Sequence, residues 1–204
     1  MTVNEGAKAI AGHGESGVGR RGNRSRIAGW SAATLLLLLP LVAMQFTDEV
    51  VWDVADFAVA GALLVGAGVT LELAARRTGN GAYRAAVGVA LGAAVILVWV
   101  NGAVGVIGSE SNDANLMYGG VLAVGVIGAL IARFRPHGMA RALLATALAQ
   151  ALVAVIALIA GLGSTGPIWP RDILMLTGFF VALWLGSASL FQKAARGEAE
   201  RGAA

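Results

Sequence analysis

The sequence predicts an all-α integral membrane protein, a bundle of six transmembrane helices that reads as three antiparallel hairpins. Three observations predict it. Of the 204 residues 57% are hydrophobic and 29 are glycine, far above the apolar half of an ordinary soluble domain. Charged residues are only 13%, about half the usual quarter. Apolar runs near the ~20 residues that a helix needs to cross a hydrocarbon core of about 30 Å recur along the chain.

Residues 1–26 are Gly-rich and polar, with Lys8, Arg20, Arg21, Arg24 and Arg26, and read as a disordered basic tail on the cytoplasmic side. The transmembrane domain is expected over 27–191, with spans at about 27–46, 55–75, 85–107, 116–132, 142–163 and 173–191. The fourth is the shortest, and snorkelling of Arg133 and Arg135 accommodates it. None of the six alternates strictly, so they read as helices and not as barrel strands. The connections TDEVVWD, RRTGNGAYR, GSESNDAN, RFRPHGMAR and GSTGPIWPRD are short, which makes successive helices antiparallel neighbours. Residues 192–204 form a second cytoplasmic tail.

A second reading of the first segment is a cleaved signal peptide, with RRGNRSR as its basic region, TLLLLLPL as its apolar region and cleavage after Ala43. Leu41 is a poor residue two places before that cut, and the arginine pair lacks the rest of a twin-arginine motif. Both points favour a retained helix.

Sidedness follows from charge. Fourteen of the fifteen Lys and Arg residues fall in the tails or in the second and fourth connections, and only Arg171 falls on the other side. The positive-inside rule then places both termini in the cytoplasm. Asp48, Glu49, Asp53, Asp56, Glu110, Asp113 and Asp172 make the opposite rim acidic. The pI of about 10.0 is therefore a cytoplasmic basic belt that meets anionic lipid head groups, and no nucleic-acid partner is expected. The returning helices open with DFAVAG, NLMYGG and DILMLTG, which permits a threefold duplication of a hairpin or the simple recurrence of caps and small residues.

Small residues at helical spacing mark packing seams. Gly88, Gly92 and Gly102 lie on one stripe of the third helix, and Gly178 and Gly186 on one of the sixth. Packing within the bundle is the plainer reading of both, and a dimer face the alternative. Polar groups within the hydrocarbon point to function, because each needs a partner or water there. They are Glu72, four residues before Arg76 in the order that favours an ion pair; Asn101; and Thr146 and Gln150, one turn apart on the fifth helix. Gln150 is the best candidate to line a cavity.

No catalytic chemistry can be assembled. There is no cysteine, His13 and His137 stand without a second ligand at helical spacing, and AGHGESGVGRRG lacks the endings of a phosphate- or dinucleotide-binding loop. The expectation is a non-enzyme with no metal and no cofactor. At WVNGAVGVIGSESNDANLMYGGVLAVGVIGALIARFRP the chain resembles a group of small, uncharacterised bacterial multi-pass membrane proteins, over the second to sixth helices. The resemblance implies a bacterial inner-membrane protein of this topology and brings no activity. The sequence thus points to a structural or accessory membrane component that packs into a homo-oligomer or larger complex. The alternative is a small transporter or channel-like protein using Glu72, Asn101, Thr146 and Gln150.

Overall fold

The computed structural model describes residues 15–47, 52–166 and 168–203. Among them all regular structure is helical: α1 (Glu15–Ala43), α2 (Val54–Arg77), α3 (Gly81–Ala103), a 3-10 turn (Asp113–Leu116), α4 (Met117–Ile131), α5 (Pro136–Ile159) and α6 (Arg171–Ala203). Five segments are long and apolar enough to cross a membrane: Val54–Arg76, Gly81–Ala103, Asp113–Ile131, Pro136–Ile159 and Arg171–Ala203. Large apolar side chains face outward along them, among them Ile131 at 77%, Leu148 at 72% and Met175 at 75% exposure. Aqueous solvent would penalise so much contiguous apolar surface, whereas lipid matches it. The chain is a multi-pass, membrane-type helical protein.

The structure differs from six spans at the first segment, 27–46. The apolar part of α1 is Gly29–Ala43, shorter than the other five. Pro40 lies inside it and has no N–H to continue the ladder. Tight turns follow at once, with the amides of Met44, Gln45 and Phe46 donating to the carbonyls of Pro40, Val42 and Ala43. Toward its start the helix runs back to Glu15 through residues assigned by sequence to the tail, since extending a helix costs less than nucleating one. At the other end, α6 continues through 192–203, because QKAARGEAERGA is rich in strong helix formers and has no proline.

The chain divides into two compact units, Met1–Glu72 and Leu73–Ala204. In the first, Leu37 comes within 3.9 Å of a Cβ built on Gly61, and the Trp30 ring within 3.0 Å of one on Gly68. Two steps of seven residues, run in opposite directions, are the register of an antiparallel pair. The start of α2 is held by a reciprocal pair: the Asp53 amide donates to Asp56 Oδ2 and the Asp56 amide to Asp53 Oδ1, both at 2.9 Å. Trp52 packs edge-on against Phe57 at 5.2 Å. A capping box with its hydrophobic staple thus explains Asp56, which by sequence belongs only to the acidic rim.

In the second unit α6 packs on both α5 and α3, and α4 packs on α5. In the α4–α5 hairpin the two helices approach closely. A Cβ on Gly128 would lie 2.7 Å from the Ala142 Cβ, and one on Gly125 would lie 3.2 Å from Thr146 Oγ1. At one end of the unit Asn80 caps α3, accepting from the amides of Ala82 (3.0 Å) and Tyr83 (3.3 Å), and donates to the Ala194 carbonyl of α6 at 3.2 Å. Tyr83 Oη donates to the Phe134 carbonyl at 2.8 Å, pinning a turn in which Arg133 and Phe134 both take positive φ. At the other end the α3–α4 and α5–α6 connections meet backbone to backbone at Gly108 and Gly163. The first end carries Arg84, Arg133, Arg135 and Lys193, and the second carries Glu110, Asp113 and Asp172.

Candidate functional site

The core of the second unit is built from one face of each helix. On α6 that face is Ile173, Thr177, Phe180, Trp184, Ser187, Ala188, Phe191 and Ala194, at helical spacing. On α3 it is Ala86, Val87, Ala93 and Leu97. Both differ from the glycine stripes that the sequence marks as internal seams. A Cβ added at Gly92, Gly102, Gly178 or Gly186 would meet nothing within 4 Å, and Gly88 is half-buried. Large side chains fill the core between α3 and α6, and these glycines fall on neighbouring faces. The glycines that do meet a neighbouring segment closely include Gly125, Gly128 and Gly138 in the α4–α5 hairpin, with Gly108 and Gly163 in the loops. All five lie off the sequence-marked stripes.

The four polar candidates divide between the two units, Glu72 in the first and Asn101, Thr146 and Gln150 in the second. Glu72 lies half-buried on α2, in the first unit. Asn101 lies half-buried near the end of α3, where Nδ2 donates to the Leu97 carbonyl of its own helix at 2.9 Å and Oδ1 is buried with no partner. Thr146 is fully buried and its hydroxyl also turns back on its own helix, donating to the Ala142 carbonyl at 2.9 Å. Gln150, one turn on, is 0% exposed, and neither its Oε1 nor its Nε2 has a protein partner.

Sequence reasoning missed several polar groups that share this core. Ser187 is buried and donates to the Ala86 carbonyl at 2.7 Å, a hydrogen bond between α6 and α3. Tyr118 sits beside Thr177, with the Asp172 carboxylate in electrostatic range, yet neither hydroxyl completes a hydrogen bond. The Trp184 indole N–H is likewise buried and unpartnered. The available signal was the large-residue stripe of α6, since Thr177, Phe180, Trp184, Ser187 and Phe191 recur every three or four residues. Stripes of small residues drew attention away from it.

Outside the core, a shallow cleft of about 490 Å³ opens between the start of α3 and the end of α6, lined by Asn80, Gly81, Lys193, Glu200 and Arg201 among others. Its charges are mixed and its basic side chains exposed. Among the described residues no three His, Asp or Glu side chains lie close enough together to hold a metal ion. Compared with known proteins, the chain matches no family model, no curated protein and no solved structure, so any functional reading rests on this geometry.

Proposed function

We propose that the chain is a structural or accessory component of a bacterial inner membrane, with both termini in the cytoplasm, assembling with further copies of itself or with a larger membrane complex. One observation carries this reading. Gly92, Gly102, Gly178 and Gly186 lie on helix faces that the core of the second unit does not use, with nothing within 4 Å of an added Cβ. In lipid such faces are where another helix gains close van der Waals contact. The basic groups at the Arg84, Arg133 and Lys193 end meet anionic head groups, and the reading includes no catalytic step, cofactor or nucleic acid.

Full-length protein extracted from its native membrane in mild detergent is expected to run as a homo-oligomer or with a stoichiometric partner. A Gly178→Leu/Gly186→Leu double variant should lose that assembly while its thermal midpoint as a monomer stays within a few degrees of the parent, because neither site has a neighbour to displace. A parent protein recovered as a lone monomer contradicts the proposal.

The alternative, a small transporter or channel-like protein, has one observation in its favour: the unpartnered Gln150 amide in mid-bundle. Within the second unit Asn101 and Thr146 each hydrogen-bond to a carbonyl of their own helix, which favours a packing role for both, and this reading ranks second.

A further inference from the structure

Gln150 presents a physical problem that assembly does not solve. A primary amide offers two donors and two acceptor positions, and burying it unpaired costs several kcal/mol by transfer measurements. At 0% exposure it is beyond the reach of a second copy of the chain. It is also not alone, since Tyr118 Oη, Thr177 Oγ1, Trp184 Nε1 and Asn101 Oδ1 are all buried atoms without a protein partner in the same unit.

The contacts between helices give these groups relative heights. Gly125 faces Thr146 and Gly128 faces Ala142 across the antiparallel α4–α5 pair, so one turn farther on Val121 stands opposite Gln150. Tyr118 stands beside Thr177, and α4 runs parallel to α6, so Val121 and Gln150 are level with Phe180. Ser187 bonded to Ala86 and Tyr83 stacked edge-on against Phe191 set the register of α3 on α6, which brings Asn101 level with Ile173. From the acidic end inward the order is Asn101, then Tyr118 with Thr177, then Gln150, then Trp184. Each step is about one helical turn, ~5 Å. Below Trp184, Ser187 spends its proton on Ala86 and the ladder stops.

We infer that these side chains form a one-ended internal file that holds water, opening toward the Asp172 end of the bundle and closed beneath Trp184. The steps are longer than one direct hydrogen bond and suit groups bridged by single water molecules. Buried waters in proteins characteristically make about three hydrogen bonds to polar groups that lack other partners. The file from Asn101 to Trp184 contains no charged side chain, so its ligand is a neutral molecule that both donates and accepts: Gln150 and Trp184 donate, while Asn101, Gln150, Tyr118 and Thr177 accept. Asp172 lies at the mouth. Because the inner end is sealed, the file is a binding site and not a path across the membrane, and it stands whether or not the protein assembles.

The test is hydrogen–deuterium exchange at the Trp184 indole, read by solid-state NMR on full-length protein with 15N-labelled tryptophan in liposomes, with Trp184→Phe identifying the signal. In D2O buffer the parent's Trp184 N–H should exchange at least tenfold faster than backbone amides in the middle of α6. Gln150→Leu should slow it tenfold or more by cutting the file above it. Asn101→Leu, which touches neither residue, should slow it as well by closing the mouth, so the inference does not depend on one variant folding. A parent indole as protected as the mid-helix amides overturns the inference, with Gln150 then bonded to a helix carbonyl in a dry core. Rapid exchange unchanged in both folded variants overturns it too, because water would be arriving by another route.

Discussion

Replacing Asn115 by leucine is expected to destabilise the second unit by about 3–5 kcal/mol, the largest single loss in the connections between its helices. Asn115 Oδ1 accepts from the amides of Val106 (3.0 Å) and Ile107 (2.9 Å), and Nδ2 donates to the carbonyls of Ser109 (2.7 Å) and Ile107 (3.5 Å). Val106 and Ile107 are 1% and 0% exposed, so their amides are left buried without a protein partner when the side chain is removed. Leaving a buried donor unsatisfied costs about 1–3 kcal/mol, and here there are two. The loop has little freedom to adapt. Gly105 has φ +72°, where a Cβ would strike the Ser109 carbonyl, and Gly108 (φ +76°) lies against Gly163. Asn115→Asp keeps the acceptor for both amides but turns a carboxylate oxygen toward the Ser109 carbonyl in place of the donor, so its cost should be smaller than that of Asn115→Leu without vanishing. Thermal unfolding of both variants in detergent checks the order; equal losses would mean that the acceptor is not what holds the loop.

Gly128→Ala should cost about 1–3 kcal/mol, the penalty of overpacking a close helix pair, and Gly128→Leu more. The added Cβ would stand 2.7 Å from the Ala142 Cβ and 3.2 Å from its Cα, so one backbone must move. The compensating change is specific. In Gly128→Ala/Ala142→Gly one methyl is moved across the interface and the volume is conserved, so most of the loss should return, giving a coupling above ~0.5 kcal/mol in a double-mutant cycle. Additive losses would show that α4 and α5 do not meet at this pair.

Much of this fold is legible in the chain because membrane helices announce themselves by length and hydropathy. The segments at 55–75, 85–107, 116–132, 142–163 and 173–191 all correspond to long apolar helices. The first segment was harder to read, since its apolar content is sufficient but Pro40 and the turn after Ala43 shorten the usable helix. Which face of a helix turns inward was read least well. In a soluble protein the polar face betrays the core, but Gly178, Ala182 and Gly186 are as apolar as Phe180 and Trp184, and lipid accepts either face. Glycine spacing alone therefore marks faces of α3 and α6 other than those that fill the core of the second unit. Gln150 was found because a polar residue in a mid-span position stands out. Tyr118, Thr177 and Trp184 were missed because aromatic and hydroxyl residues pass as ordinary packing until their partners are sought.

If α3 to α6 cross a membrane in alternating directions, the Asn115 loop and the Gly163 turn lie together on one side of it. The chain has no cysteine, so each introduced one reports alone. Single substitutions Ser111→Cys, Ser164→Cys, Gly79→Cys and Glu198→Cys in the full chain, probed in intact cells and in permeabilised ones with a membrane-impermeant maleimide, decide it. Labelling of Ser111→Cys and Ser164→Cys in intact cells, with Gly79→Cys and Glu198→Cys reached only after permeabilisation, is the predicted result. Opposite sides for Ser111→Cys and Ser164→Cys, or equal labelling of all four sites in intact cells, would contradict it.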